Sequence, residues 1–159
     1  MQLLFIRVAL EGVATVALVD TGAQFSIISK QCARQCGLLR ITDRRFRGIA
    51  SGVGQAPTLG RIHLATLTVA GAVTGVSLVV MESHPMELLL GLDVLRSMQA
   101  TVDVRTNRLD LHALGVSVPF LAEHELPEEL KRTPVIERHI VGSGGPATLG
   151  LSSMALEAS

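Results

Sequence analysis

Two stretches of the chain share one design: an aliphatic run stops abruptly at a glycine-bearing turn and passes into a short helix. Val16-Ala17-Leu18-Val19 runs into Asp20-Thr21-Gly22, and Leu88-Leu89-Leu90 runs into Gly91-Leu92-Asp93-Val94-Leu95. Continuous apolar runs without polar alternation mark strands buried on both faces. The two stretches read as one unit used twice, in a chain whose 159 residues suit about one domain. Aromatic residues are only 3% of the chain, four Phe with no Trp or Tyr, so Val, Leu, Ile and Ala must fill the core.

Composition excludes several classes of function. Hydrophobic residues make up 48% and charged residues 18%, which rules out disorder for most of the chain. The formal net charge of zero and the scarcity of stacking rings leave no footprint for nucleic acid. The opening stretch is apolar on average, but Arg7 and Glu11 interrupt it. No run there approaches the roughly 20 residues of a spanning helix, and no basic segment marks it for export. The chain reads as soluble and intracellular. Cys32 and Cys36, four apart, suit one helix face and match no zinc spacing, so reduced thiols are expected. The five histidines, His63, His84, His112, His124 and His139, are scattered without partners at ligand spacing, and no metal is expected.

Leu3 to Leu10 and Val13 to Val19 predict a hairpin around Glu11-Gly12. Asp20-Thr21-Gly22-Ala23 ends the second strand and exposes polar groups at its tip. Ser26 to Gly37 predicts a helix capped by Ser26 or Ser29 and stopped by Gly37. Arg40 to Arg47 is a basic connector with a solvated face. Gly48-Ile49-Ala50-Ser51-Gly52-Val53-Gly54 holds three glycines in seven positions, suiting a hairpin tip or an ordinary tight turn. Further strands are expected over Gly60 to Val69, Leu64 to Ala70 and Val73 to Met81, and a buried one over Met86 to Leu92. Gly91 breaks that run, and Asp93 suits the N-cap of a helix through Met98. Ala100 to Val104 and Arg108 to Leu114 predict a closing hairpin around Thr106-Asn107. The domain is assigned to residues 1–118 and a charged, then Gly/Ser-rich tail to residues 119–159, poorly ordered from about Glu137.

An Asp at the end of a buried strand, followed by Thr and Gly, has an obvious chemical use, although Asp20 also suits a loop-capping Asx turn. Taken with its surroundings, the sequence resembles the retroviral-type, or retropepsin-like, aspartic proteases. In these a hydrophobic strand, Asp-Thr-Gly-Ala, a glycine-rich flap and a hydrophobic-hydrophobic-Gly strand before a helix occur in this order. The likeness extends to the protease-like domain of the DNA-damage-inducible ubiquitin shuttle proteins and to the nuclear receptor-interacting proteins. It is carried by Val19-Asp20-Thr21-Gly22-Ala23-Gln24, Asp43-Arg44-Arg45-Phe46, Gly48-Ile49-Ala50, Gly52-Val53-Gly54, Gly60-Arg61-Ile62-His63-Leu64-Ala65, Leu89-Leu90-Gly91-Leu92-Asp93-Val94-Leu95 and Phe120-Leu121.

The resemblance implies a mostly β fold, a closed β-barrel of the acid protease type with one or two short helices and one lobe per chain. It implies a homodimer without cofactor, in which Asp20 from each copy shares a proton and Thr21, Gly22 and Ala23 shape the active-site loop. Gly48, Ile49, Ala50, Ser51, Gly52, Val53 and Gly54 would form the flap over an extended peptide, and Leu89, Leu90 and Gly91 the second motif. The nuclear receptor-interacting proteins add an alternative, an inactive scaffold that binds nuclear receptors and lowers their transcription, in nucleus or cytoplasm. Receptor grooves take a Leu-x-x-Leu-Leu helix. The chain has no such pentad, and the nearest, Met86-Glu87-Leu88-Leu89-Leu90, falls on an expected buried strand.

Overall fold

The computed structural model describes residues 3–46 and 57–132, so the glycine-rich stretch Gly48 to Gly54 and the tail from 133 onward lie outside the described residues. Strands β1 (Phe5–Leu10) and β2 (Val13–Val19) form the expected opening hairpin. Leu10 pairs with Val13, leaving Glu11 and Gly12 to make the turn at φ 50° and 78°. Both lie in the left-handed region, the type I′ geometry whose twist matches the flanking strands.

The helix expected over Ser26 to Gly37 starts later than the sequence suggests. Ile27–Ser29 is a strand, β3, paired antiparallel with Leu88 and Leu89 and parallel with Val79 to Met81. The stiff β-branched side chains of Ile27 and Ile28 favour this extended state. Helix α1 covers Lys30–Gln35, and Ser29 caps it by accepting from Cys32 N–H at 3.1 Å. Gly37 stops it as expected: at φ 72° its N–H donates to Arg34 O while Leu38 N–H donates to Ala33 O, a Schellman ending. Two 3₁₀ turns, Leu39–Ile41 and Arg44–Phe46, then fill the basic connector.

Beyond the connector, β4 (Thr58–Val69) turns back into β5 (Ala72–Met81) through Ala70 and Gly71, again a left-handed pair at φ 49° and 81°. The buried run is shorter than expected: β6 is Leu88–Leu90, and helix α2 is Leu92–Ser97. Its N-cap is Gly91, not Asp93, which stands inside the first turn with its carboxylate on Ser26 and on Val94 N–H. The six strands close into a barrel in the order β1-β2-β6-β3-β5-β4.

Neighbouring residues of a strand face opposite sides, and here both sides are covered. Ile6, Ala17, Ile28, Leu78 and Leu88 pack into one core with Cys32 and Ala33 of α1 and Val94 and Leu95 of α2. Phe5, Leu18, Ile27, Val79 and Leu89 form a second core with Met81, Met86 and Leu121. The absence of alternation in β6 follows, since polar groups would be buried on either face.

The closing hairpin gains a third strand. β7 (Ala100–Asp103), β8 (Arg108–Leu111) and β9 (Val116–Pro119) make a separate antiparallel sheet. Phe120 then enters the first core and Leu121 the second, with Leu121 N–H donating to Phe5 O at 2.8 Å. A short helix, α3 (Glu128–Arg132), ends the described chain. Among the described residues no helix is long and apolar enough to cross a membrane.

Cys32 and Cys36 are free thiols buried in the first core. Burial pushes the Cys32 thiol up to about 12 and raises that of Cys36 as well. Since the thiolate is the reactive form, the native protein at mildly alkaline pH is expected to take up iodoacetamide at least about a hundredfold more slowly than the denatured chain. Equal rates, measured by mass spectrometry, would show that this helix face is open to solvent.

Candidate active site

The loop of residues 20–26 joins β2 to β3, and both strands pair with β6, so the loop arches over the end of β6 where Gly91 stands. Asp20 begins the arch. Its N–H donates to Leu90 O at 3.0 Å, continuing the β2–β6 ladder by one bond. Its carbonyl accepts from Ala23 N–H at 3.3 Å, and its Oδ1 accepts from Gly22 N–H at 2.9 Å. Asp20 as a residue is half-buried, and Thr21 and Gly22 beside it are exposed. A Cβ on Gly22 would stand 3.2 Å from Asp20 Oδ1, so glycine leaves the carboxylate its space.

The second motif lies directly under this loop. Leu92 N–H donates to Ala23 O at 2.7 Å and Asp93 N–H to Gln24 O at 3.2 Å. These are donors at the start of α2, which has no intrahelical partner for them. A Cβ on Gly91 would fall 2.6 Å from Phe25 O and 2.8 Å from Ala23 O, so only glycine permits the approach. The two motifs, separate units along the chain, are thus two halves of one contact.

Ser26 closes the loop. Its Oγ accepts from Gly91 N–H at 2.9 Å and donates to Asp93 Oδ1 at 2.7 Å, while its N–H donates to Asp93 Oδ2 at 3.1 Å. Sequence alone suggests Ser26 as a helix cap and Asp93 as an N-cap. The two side chains instead bond each other, across a separation that no local pattern reveals, while Asp93 Oδ1 also accepts from Val94 N–H at 2.7 Å.

The structure brings Asp20, Thr21, Gly22, Ala23, Leu90 and Gly91 together around this contact. Leu89 points to the second core. The flap residues lie outside the described residues. A histidine that is isolated in the sequence has a partner: His63 Nε2 lies 2.8 Å from Asp43 Oδ2, with Phe46 packed edge-on at 5.3 Å. Arg45 donates to both oxygens of the same carboxylate, at 2.9 and 2.7 Å. Nearby, the Arg61 guanidinium lies over the Phe25 ring at 5.8 Å. Among the described residues no group of three or more His, Cys, Asp or Glu is arranged to hold a metal ion.

A closed six-stranded barrel that carries an Asp-Thr-Gly turn over a hydrophobic-hydrophobic-Gly strand is the retropepsin-like aspartic protease fold. The chain belongs to the aspartyl protease family, whose model, described as Aspartyl protease, matches residues 1–103. It is similar to the retroviral protease-like domain of Ddi1 from Leishmania major, with 38% identity and a TM-score of 0.72 over 79% of this chain and 99% of that one. Protein DNA-DAMAGE INDUCIBLE 1 of Arabidopsis thaliana is 41% identical over 94% of this chain and 36% of its own length. Protein DDI1 homolog 2 of Homo sapiens is 41% identical over 79% of this chain and 32% of its own length. The chain therefore spans about a third of these curated relatives.

Replacing Gly91 by Ala forces a methyl group into backbone oxygens. Overpacking of this kind is expected to cost about 3 kcal/mol, measured by denaturant unfolding; an unchanged midpoint would mean that the loop can lift off α2 freely. Hydrogen bonds from Arg45, then from His63, hold the Asp43 carboxyl well below the usual carboxylate range. Asp43 therefore adds stability that is complete above its ordinary value of about 3.9 and is lost as pH falls through its own lowered value. Carboxyl-carbon NMR should find Asp43 still ionised where ordinary aspartates are half protonated, and Arg45→Ala should bring it back up. An ordinary titration in the unaltered protein would refute the cluster.

Proposed function

We propose that the chain is a homodimeric aspartic endopeptidase of the retroviral type, with Asp20 of each copy supplying one of two carboxylates. The observation that carries this reading is the placement of Asp20, half-buried at the start of a loop anchored on β6. The other described aspartates have different surroundings. Asp43 holds Arg45 and His63, Asp93 holds Ser26, and Asp103 accepts from the N–H groups of Arg105 and Thr106 in the β7–β8 turn. Asp110 lies within β8. One chain then contributes half a site. A depression of about 320 Å³ between exposed Thr21, Leu92, Leu95 and Arg96 of α2, and Ala100 and Val102 of β7 offers a seat for the partner loop beside Asp20.

The chemistry follows from two like charges held close together. Both cannot ionise at once, so the pair keeps one proton and titrates as a unit. The ionised carboxylate takes a proton from a bound water, whose oxygen attacks the scissile carbonyl carbon. The protonated carboxyl donates to the carbonyl oxygen. The tetrahedral diol then collapses, the C–N bond breaks and the amine leaves with a proton, so no covalent enzyme intermediate is required.

The competing reading, which rests on the resemblance of the sequence motifs alone, is a receptor-binding scaffold in which Asp20 only shapes its turn. In that case Met86 to Leu90 is not the docking helix, because Leu88–Leu90 is buried as β6, and contact with receptors uses another surface. Asp20→Asn separates the two. Under the endopeptidase reading the purified chain sediments as a dimer, cleaves a peptide library with a bell-shaped pH profile, and loses about 10²–10⁴-fold of that activity in the variant. A monomer at every concentration, or a variant that cleaves like the unaltered protein, would remove the enzyme reading.

A further inference from the structure

Sheet pairing holds β2 to β6 as far as Val19 opposite Leu90, and resumes between β3 and β6 at Ile27 opposite Leu89. Between these points the loop of residues 20–26 is held at its two ends, by Asp20 N–H to Leu90 O and by Val79 N–H to Ser26 O, and its middle rests on what α2 presents to it. Two of its carbonyls, on Ala23 and Gln24, are held by N–H groups of Leu92 and Asp93 in the first turn of α2. The position of that turn therefore sets the position of the middle of the loop.

We propose that Ser26 and Asp93 are positioning residues for Asp20: their paired hydrogen bonds lock the first turn of α2 to the back of the loop whose front carries the carboxylate. Ser26 is completely buried, at 0% exposure. A buried polar side chain persists only when its hydrogen-bonding capacity is met. The Ser26 hydroxyl meets it by linking Gly91 N–H to Asp93 Oδ1. Asp93 in turn takes donors on both oxygens, Ser26 Oγ–H and Val94 N–H on Oδ1 and Ser26 N–H on Oδ2. All three groups are donors, a set that a carboxylate matches and a carboxamide of the same shape does not. If the tie is lost, the turn of α2 loosens, the carbonyls of Ala23 and Gln24 follow, and the movement reaches Gly22, whose N–H orients Asp20 Oδ1. The barrel strands keep their own pairing throughout. A shift of about 1 Å at a catalytic group can cost about a hundredfold in rate, so the tie has leverage on chemistry out of proportion to its effect on stability.

The test uses the full chain and two variants. Asp93→Asn keeps the shape and sets an amide N–H against at least one of the three donors, and Ser26→Ala removes the hydroxyl that links Gly91 to Asp93. Amide exchange followed by NMR should show Gly22 and Leu92 exchanging at least about tenfold faster in both variants, with Leu18 and Leu89 unchanged. The kinetic readout rests on the endopeptidase reading of Asp20: kcat should fall about tenfold in Asp93→Asn at an unchanged KM. If the unaltered protein cleaves nothing, that reading fails while amide exchange still decides the tie. Exchange at Gly22 and Leu92 equal to that of the unaltered protein in Asp93→Asn would overturn the proposal. So would a uniform acceleration across all strands, which marks a general loss of stability. Should Ser26→Ala fail to fold, the isosteric Asp93→Asn by itself still supports or overturns the tie.

Discussion

The approach of Gly91 to the loop beginning at Asp20 is the contact on which the rest of the structure depends. It is possible only because β6 is inserted between β2 and β3, which places the end of one hydrophobic run beneath the turn that ends the other. With any side chain at Gly91, the carbonyls of Ala23 and Phe25 would be displaced. Without the acceptors on Ala23 and Gln24, the N–H groups of Leu92 and Asp93 would lose their partners, at about 0.5–1.5 kcal/mol for each hydrogen bond. Loop, strand and helix are thus mutually conditional, and the geometry around Asp20 is a property of the whole barrel.

The barrel achieves this with few aromatic rings. Short strands covered on both faces place aliphatic side chains in two cores, so each β6 residue is surrounded whichever way it points. Phe120 and Leu121 complete the arrangement from the other end of the chain, one entering each core. The segment after β9 is therefore part of what holds β1, and through β1 the opening hairpin, in place. On the side of Asp43, a carboxylate gathers Arg45 and His63 just before the glycine-rich stretch. The Arg45 and His63 side chains there are largely exposed, and their hydrogen bonds to Asp43 tie the connector to β4.

Much of this is legible in the sequence because it is encoded over short distances. The Glu11-Gly12 turn, the Gly37 stop and the buried character of Leu88 to Leu90 follow from backbone preferences and local hydrophobicity. Asp20 is identifiable as the candidate acid from its place after a buried strand and before a glycine. Ile27 and Ile28 pass for helix in the sequence because a strand of three residues is shorter than any periodicity can register. The signal that points the right way is their β-branching.

Other features have no local trace. Asp93 resembles a helix cap because the competing partner, Ser26, is 67 residues away in sequence. His63 looks solitary because Asp43 reaches it only after β4 has formed a bridge with the connector. The sequence by itself determined which residues turn, which are buried and which carboxylate ends a buried strand, since these depend on the conformational limits and solvation of a few neighbouring residues. Tertiary structure alone decided that β6 lies between β2 and β3, and hence that Gly91, Ser26 and Asp93 stand beneath Asp20. Contacts of that kind exist only once distant segments have been brought into register, and their energies belong to the assembled barrel.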